Sequence, residues 1–330
     1  MYTTPFHTID ISNKTFLVTG GAGFIGSNLV EYLLMHQAKK VVVLDNLATG
    51  FEENIKPYFS YPNFQFIKGD ICVLEDCKNA CIGIDYVFHQ AALGSVPRSI
   101  QNPIATHNVN ATGFNNMLIA ARDAKVQRVV YASSSSVYGD SKALPKIENQ
   151  IGKQLSPYAV SKMTNELYGE IFAKTYQMEI IGLRYFNIFG PRQNPQGEYA
   201  AAIPLFINAL LNNTSPAING DGEQTRDFTF VANAVQANVK AMFAENINTQ
   251  GDVFNIAVGE RVSLNQLIEI LKRTIGTTVQ QTYRAERPGD VRDSLADISK
   301  AQKMIGYAPV VKIEEGLKST LAWFVKKYKS

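Results

Sequence analysis

The chain has 330 residues, a formal net charge of +3, and 45% hydrophobic and 18% charged residues; this is the balance of an ordinary water-soluble globular protein longer than one average domain. Lysine and arginine are scattered rather than clustered, which argues against a nucleic-acid partner, and no apolar run approaches the roughly 20 residues of a membrane span. The first residues lack the basic and apolar regions of a secretion signal, and Cys72, Cys77 and Cys81, expected on a helix with no fourth ligand nearby, read as packing residues of a reducing cytoplasm, with no metal.

Thr15-Phe-Leu-Val-Thr19 is a short apolar run suited to a buried parallel strand. Gly20-Gly21-Ala22-Gly23-Phe24-Ile25-Gly26 follows, and then a helical pattern of Leu29, Val30, Leu33 and Leu34. Glycines at 20, 23 and 26 suit a tight turn, a close approach to a pyrophosphate and close packing of helix on strand. The helix N-terminus would offer free N–H groups to the phosphates. A second strand, Lys40 to Leu44, runs into Asp45, 19 residues past Gly26, where an acid can bind the adenosine ribose hydroxyls. A carboxylate there repels a 2′-phosphate, so NAD is expected rather than NADP.

Further apolar runs lie at 63–70, 85–92, 127–133 and 179–184, with helical patterns between them. This alternation predicts an α/β fold, a Rossmann-type doubly wound parallel sheet. Ligands of such sheets bind at the carboxyl ends of the strands, where Asp70, Ala91, Ala92, Ser133 to Ser136 and Tyr185-Phe186-Asn187 fall. Ser156-Pro157 reads as an N-cap and first helical residue, and Tyr158 and Lys162 then share one helix face. An ammonium near a phenol favours the phenolate and lowers a pKa normally about 10, so the tyrosine can exchange a proton with a substrate hydroxyl. Alone, the spacing fits any exposed helix face; behind a dinucleotide-binding unit it reads as a proton-transfer pair.

From about residue 188 the pattern loosens, with Pro191, Pro195, Gly197, Pro204, Pro216, Gly220 and Gly222 expected in loops. Asp252 to Ile256 reads as another strand. The expected organisation is an NAD-binding domain of 1–187 plus 227–257. A smaller, loop-rich α/β substrate domain of 188–226 and 258–330 would complete the chain.

Thr19 to Gly26, Asp45-Asn46, Gly69-Asp70-Ile71, His89-Gln90-Ala91-Ala92, the serine run before Val137-Tyr138-Gly139, and Tyr158/Lys162 together resemble the extended short-chain dehydrogenase/reductases over nearly the whole chain. Within them the chain is most similar to the UDP-hexose 4-epimerases, in particular the bacterial UDP-N-acetylglucosamine 4-epimerases. That closer likeness rests on Leu93-Gly94-Ser95-Val96-Pro97-Arg98-Ser99, on Arg192-Gln193 with Gly197-x-Tyr199-Ala200-Ala201, and on Arg287-Pro-Gly-Asp290-Val-Arg292.

The resemblance implies tightly bound NAD, transient oxidation at C4 of the sugar, and return of hydride to the opposite face of the 4-keto sugar. It makes Tyr158 the base, with Lys162 lowering its pKa and bonding the nicotinamide ribose; Ser134 and Ser136, with Ser135 between, would relay the O4 proton. Cofactor contacts are implied for Gly20, Gly23, Phe24, Ile25, Gly26, Asp45, Asn46, Asp70, Ile71, Gln90, Ala91, Ala92 and Tyr185. Ser134 to Val137 contain no carboxylic acid, which argues against the related 4,6-dehydratases and decarboxylases.

On the substrate side the resemblance assigns Arg226 and Arg287 to the diphosphate, Asn187 to the sugar-side phosphate, Asp290 to a uridine ribose hydroxyl, and Ile218 and Asn219 to the uracil. Gly94, Ser95, Gln193 and Ala201 become candidate sugar contacts. Ser294 stands where galactose-only epimerases carry a bulky tyrosine, leaving room for a 2-N-acetyl group. Gly94 and His107 replace a lysine and an asparagine of the galactose-type relatives, and His107 is expected to be an ordinary helix residue.

The expected activity is 4-epimerisation of UDP-N-acetylglucosamine and UDP-N-acetylgalactosamine, with UDP-glucose and UDP-galactose slower. One alternative is an epimerase of UDP-glucuronate or UDP-N-acetylhexosaminuronate, whose carboxylate needs a cation; Arg98 is the obvious candidate. A non-enzymatic NAD-binding sensor is the other, although such proteins usually lose the tyrosine or the lysine. A homodimer through helices near 104–124 and 158–177 is also implied.

Overall fold

In the computed structural model, which describes residues 1–195, 201–245, 250–286 and 292–328, strands and helices alternate through the first half of the chain. They are β1 (Thr15–Thr19), α1 (Phe24–Met35), β2 (Lys40–Asp45), β3 (Phe64–Lys68), α2 (Leu74–Ala80), β4 (Tyr86–His89), α3 (Val96–Gln101), α4 (Pro103–His107), α5 (Gly113–Asp123), β5 (Arg128–Ser134), α6 (Pro157–Tyr176) and β6 (Glu179–Tyr185). With the Gln250–Ile256 strand they form a seven-stranded sheet in the order Gln250–Ile256, β6, β5, β4, β1, β2, β3. Every pairing in it is parallel.

Helices cover both faces, so the central strands β1 and β4 are buried throughout. Successive side chains of β1 enter opposite layers: Phe16 and Val18 join Leu29, Leu33 and Val43, whereas Leu17 joins Val42, Phe114 and Leu118. The strand order reverses at β1, between β2 and β4. That switch point opens a crevice at the carboxyl ends.

The second half contributes smaller pieces. Ala217–Asn219 pairs with Thr282–Arg284, and Thr225–Arg226 with Val262–Ser263. Helix α7 (Ala202–Leu211) takes in Pro204, expected in a loop; in a first turn its missing N–H costs nothing. Helix α8 (Val231–Phe243) is buried along most of its length. Among the described residues no helix is long and apolar enough to cross a membrane.

Two local expectations need correction. The helix anticipated over 104–124 is broken by a wide π turn at Asn108–Thr112 between α4 and α5. There Asn110 accepts from Leu93 N at 2.8 Å and donates to Leu93 O and Ser161 Oγ, each at 3.1 Å. The distorted turn thus holds the loop after β4, a use that sequence spacing does not reveal. Of the three cysteines only Cys77 lies within α2; Cys72 precedes it and Cys81 caps it, all with free thiols.

Candidate active site

The glycine turn fits a dinucleotide by what it lacks. Gly20 has φ +66°, and a Cβ there would lie 2.7 Å from Ala91 N. A Cβ on Gly26 would lie 2.1 Å from Gly20 O. Side chains at these positions would push the start of α1 off the end of β1, where its N–H groups face the crevice. Asp45 closes the other side, accepting from Ala22 N at 2.9 Å and Leu47 N at 2.8 Å. Burial raises its pKa above the ordinary carboxylate value, against those two hydrogen bonds.

A cavity of about 430 Å³ runs along the strand ends, and all the cofactor candidates line it: Gly20, Gly23, Phe24, Ile25, Gly26, Asp45, Asn46, Asp70, Ile71, Gln90, Ala91, Ala92, Tyr158, Lys162 and Tyr185. A glycine cradle under a helix N-terminus, with a carboxylate at the end of β2, suits NAD. Tyr185 is fixed from behind, its hydroxyl donating to Gln90 Oε1 at 3.1 Å and accepting from Asn238 Nδ2 at 2.7 Å. Among the described residues no cluster of His, Cys, Asp or Glu could hold a metal ion.

Tyr158 and Lys162 enter this cavity from the first turns of α6. The start of that helix follows from its residues: Ser156 is extended and accepts from Ala159 N at 3.1 Å, and Pro157 occupies the first turn. Lys162 is 3% exposed and donates to Ala132 O at 2.8 Å. Burial lowers its pKa to about 8, with the Glu166 carboxylate opposing the fall. Tyr158 differs from expectation. Burial raises its pKa above the ordinary phenol value, and a hydrogen bond with Ser134 works the other way. The lysine is itself desolvated and committed to a backbone carbonyl, so bringing the phenol toward neutrality calls for positive charge beyond Lys162.

The serine run divides between cavities. Ser134 lines the first; its Oγ accepts from Ser136 N at 3.2 Å and Ser136 Oγ at 3.0 Å. Ser135 and Ser136 line a second cavity of about 180 Å³ with Lys146, Asn187, Arg226 and Ser294. A third, of about 260 Å³, is lined by Asn187, Ala201, Phe206, Ile218, Asn219, Gln224, Arg226 and Phe228. Asn187 borders all three, and Arg226 the second and third. Asn187 holds a left-handed φ of +37° and donates to Asp227 O at 3.2 Å; asparagine tolerates that conformation better than most residues.

Other candidates lie elsewhere. Ala201, expected beside the sugar, stands with Ile218 and Asn219 in the third cavity. Gln193 lines none of the three; it donates to Ile188 O at 3.1 Å, and its buried Oε1 has no partner among the described residues. Gly94 borders the first cavity with Arg98, whose Nη1 donates to its carbonyl at 3.2 Å. Ser95 caps α3, accepting from Arg98 N at 3.3 Å. His107 ends α4. Arg287 and Asp290 lie outside the described residues. Among the lining residues that sequence reasoning missed are Gln224 and Lys146. Lys146 is a buried lysine that donates to Ser141 O, in an irregular segment with no periodicity to flag it.

The fold and cleft define a class, and sequence comparison agrees with it. The model of the NAD dependent epimerase/dehydratase family matches residues 16–257, and the chain belongs to that family. Within it the chain is a homologue of the UDP-sugar 4-epimerases. The UDP-glucose 4-epimerase of Mycolicibacterium smegmatis is 36% identical over 318 residues, 94% of this chain and 98% of that one. The structure of the UDP-N-acetylglucosamine 4-epimerase from Methanobrevibacter ruminantium M1, in complex with UDP-N-acetylmuramic acid, superposes with a TM-score of 0.90 at 39% identity, covering 96% of this chain and 99% of that one. The UDP-glucuronic acid 4-epimerase from Bacillus cereus, with UDP-glucuronic acid and NAD, gives 0.88 at 32% identity, covering 95% and 100%.

Proposed function

We propose that this protein is an NAD-dependent 4-epimerase that interconverts UDP-N-acetylglucosamine and UDP-N-acetylgalactosamine, and acts more slowly on UDP-glucose and UDP-galactose. The observation that carries the reaction is the convergence of Tyr158, Lys162 and Ser134 on one cavity with the glycine turn and Asp45. NAD, when bound, supplies a reversible hydride acceptor for C4 of the sugar. Tyr158 takes the O4 proton, directly or through Ser134 and Ser136, and returns it after the keto sugar has turned in the pocket. Lys162 holds the cofactor ribose and adds positive charge. The absence of a carboxylic acid from Ser134 to Val137 leaves no group for elimination.

The three cavities support an order of substrate parts. The sugar would lie by Ser135, Ser136 and Ser294, the diphosphate by Asn187 and Arg226, and the uracil by Ile218 and Asn219. The small Ser294 leaves space for an acetamide, and the relative named for UDP-N-acetylglucosamine supports that reading. We assign cofactor binding to 1–187 with 227–257, and UDP-sugar binding to 188–226 with 258–330. Exposed apolar side chains on α3, α4 and α6 (Ile100, Ile104, Val160, Leu167 and Ile171) support a homodimer. The free thiols suit a cytoplasmic location.

A second reading is favoured by Arg98 on the wall of the first cavity and by the glucuronate relative: an epimerase of acidic UDP-sugars. A product assay across UDP-glucose, UDP-N-acetylglucosamine and their uronic acids, without added NAD, separates the two. Conversion of UDP-glucose with UDP-N-acetylglucosamine untouched refutes the substrate proposed here; selective conversion of the uronic acids replaces it with the second reading.

A further inference from the structure

Beneath the proposed proton-transfer pair lies a buried charged network centred on Glu166 and Arg184, neither of which lines any of the three cavities. Glu166 follows Lys162 by one turn of α6. One of its oxygens accepts from Ser133 Oγ at 2.5 Å and Arg184 Nε at 2.8 Å, the other from Arg184 Nη2 at 2.7 Å. Arg184, 1% exposed, continues to Tyr138 OH at 3.0 Å and Glu148 O at 2.8 Å. Tyr138 donates to Asn255 Oδ1 at 2.6 Å, and Asn255 Nδ2 donates to Lys146 O at 2.9 Å and Asp297 O at 3.0 Å.

A buried ion pair is a poor source of stability, because desolvation offsets most of the attraction and apolar replacements are often neutral or better. Its position offers another role. Three successive residues at the end of β5 are each held by one of three residues spaced four apart on α6: Lys162 on Ala132 O, Glu166 on Ser133 Oγ, and Tyr158 on Ser134. The strand end and the helix face therefore interlock residue by residue. Arg184 anchors the middle contact to β6 and, through Tyr138 and Asn255, to the segments carrying Lys146 and Asp297. Ser133 borders the first cavity through the strand end while its hydroxyl is taken by Glu166, so slippage there would move Ser134 relative to Tyr158.

We propose that Glu166, backed by Arg184, is a positioning residue for proton transfer: by gripping Ser133 it keeps Ser134 aligned with the Tyr158–Lys162 face. This rests on the assignment of Tyr158 to proton transfer made above.

The test compares Ser133→Ala and Glu166→Gln with the wild-type holoprotein in kcat, KM, bound NAD, thermal stability and the pH dependence of kcat/KM. Ser133→Ala keeps the ion pair and is expected to lower kcat about fivefold, the rate equivalent of one ordinary hydrogen bond, with KM within about twofold and bound NAD unchanged. Glu166→Gln removes the charge that sustains the protonated Lys162, so the basic limb of kcat/KM should move to lower pH. An unchanged kcat in Ser133→Ala, or KM rising as much as kcat falls, overturns the proposal, and so does an unmoved basic limb in a folded Glu166→Gln. If Glu166→Gln does not fold, Ser133→Ala decides alone. Tyr158→Phe separates the two readings: full turnover there refutes the proton-transfer assignment, whereas its loss beside an unaffected Ser133→Ala refutes only the positioning role.

Discussion

Replacing Gly26 with alanine should damage cofactor binding far more than the added methyl suggests. The new Cβ would sit 2.1 Å from Gly20 O, 2.8 Å from Gly20 C and 2.9 Å from Gly21 Cα. All three are backbone atoms of the β1–α1 turn and cannot rotate away, so relief requires the start of α1 to retreat by about 1 Å to regain ordinary contact. Overpacking of this kind costs roughly 1–3 kcal/mol, which lowers Tm by about 1–4 °C in a chain of this length. The same displacement draws the helix N–H groups back from the cofactor phosphates. Gly94→Ala is the control: this glycine borders the same cavity, but nothing lies within 4 Å of its Cβ position. Bound NAD per protomer, read by absorbance after denaturation, and thermal melting should separate the variants. Gly26→Ala is expected to lose NAD and stability, and Gly94→Ala to keep both. A Gly26→Ala protein with wild-type NAD content and Tm would refute the reasoning about the turn.

Other variants test the rest of the site. Ser294→Tyr should abolish turnover of the N-acetylated sugars while part of the plain-hexose activity survives; equal loss of both would exclude Ser294 as the size filter. Arg226→Met removes charged hydrogen bonds to the proposed diphosphate, so KM for the UDP-sugar should rise about 10–100-fold, with UDP weakened in parallel in an inhibition assay. Asp227, buried and accepting from the backbone N–H groups of Val258 and Gly259, has its pKa raised by burial from 3.8 to about 6. A folded-state pKa above the unfolded one means that its stabilising contribution is complete below about pH 3.8 and is lost as pH rises through about 6. Wild type should therefore lose stability relative to Asp227→Asn across that window, and parallel Tm curves would contradict it.

Much of this architecture is legible in the residues because its signals are local. The β1 run, the glycines and Asp45 sit within one strand–helix–strand unit, and Ser156-Pro157 marks the start of α6 before any tertiary contact is known. What escaped was non-local. The π turn at Asn108–Thr112 exists because Asn110 serves the Leu93 loop and Ser161. Lys146 and Gln224 reach the second and third cavities from irregular segments. Ala201 is expected among the sugar contacts from its motif, and the fold places it on the wall of the third cavity with Ile218 and Asn219. The sign of the Tyr158 shift was missed for a related reason: spacing shows the lysine, but not the burial that raises the phenol and lowers the ammonium together.

The central claim is that Tyr158 moves the O4 proton beside bound NAD, and Tyr158→Phe tests it most directly because it removes one hydroxyl from the cavity wall. The measurement is interconversion of UDP-N-acetylglucosamine and UDP-N-acetylgalactosamine by the purified variant, with its bound NAD determined on the same sample. NAD content at the wild-type level, with turnover reduced by about 10²–10⁴-fold, is the predicted result. Turnover within a few-fold of wild type would contradict it.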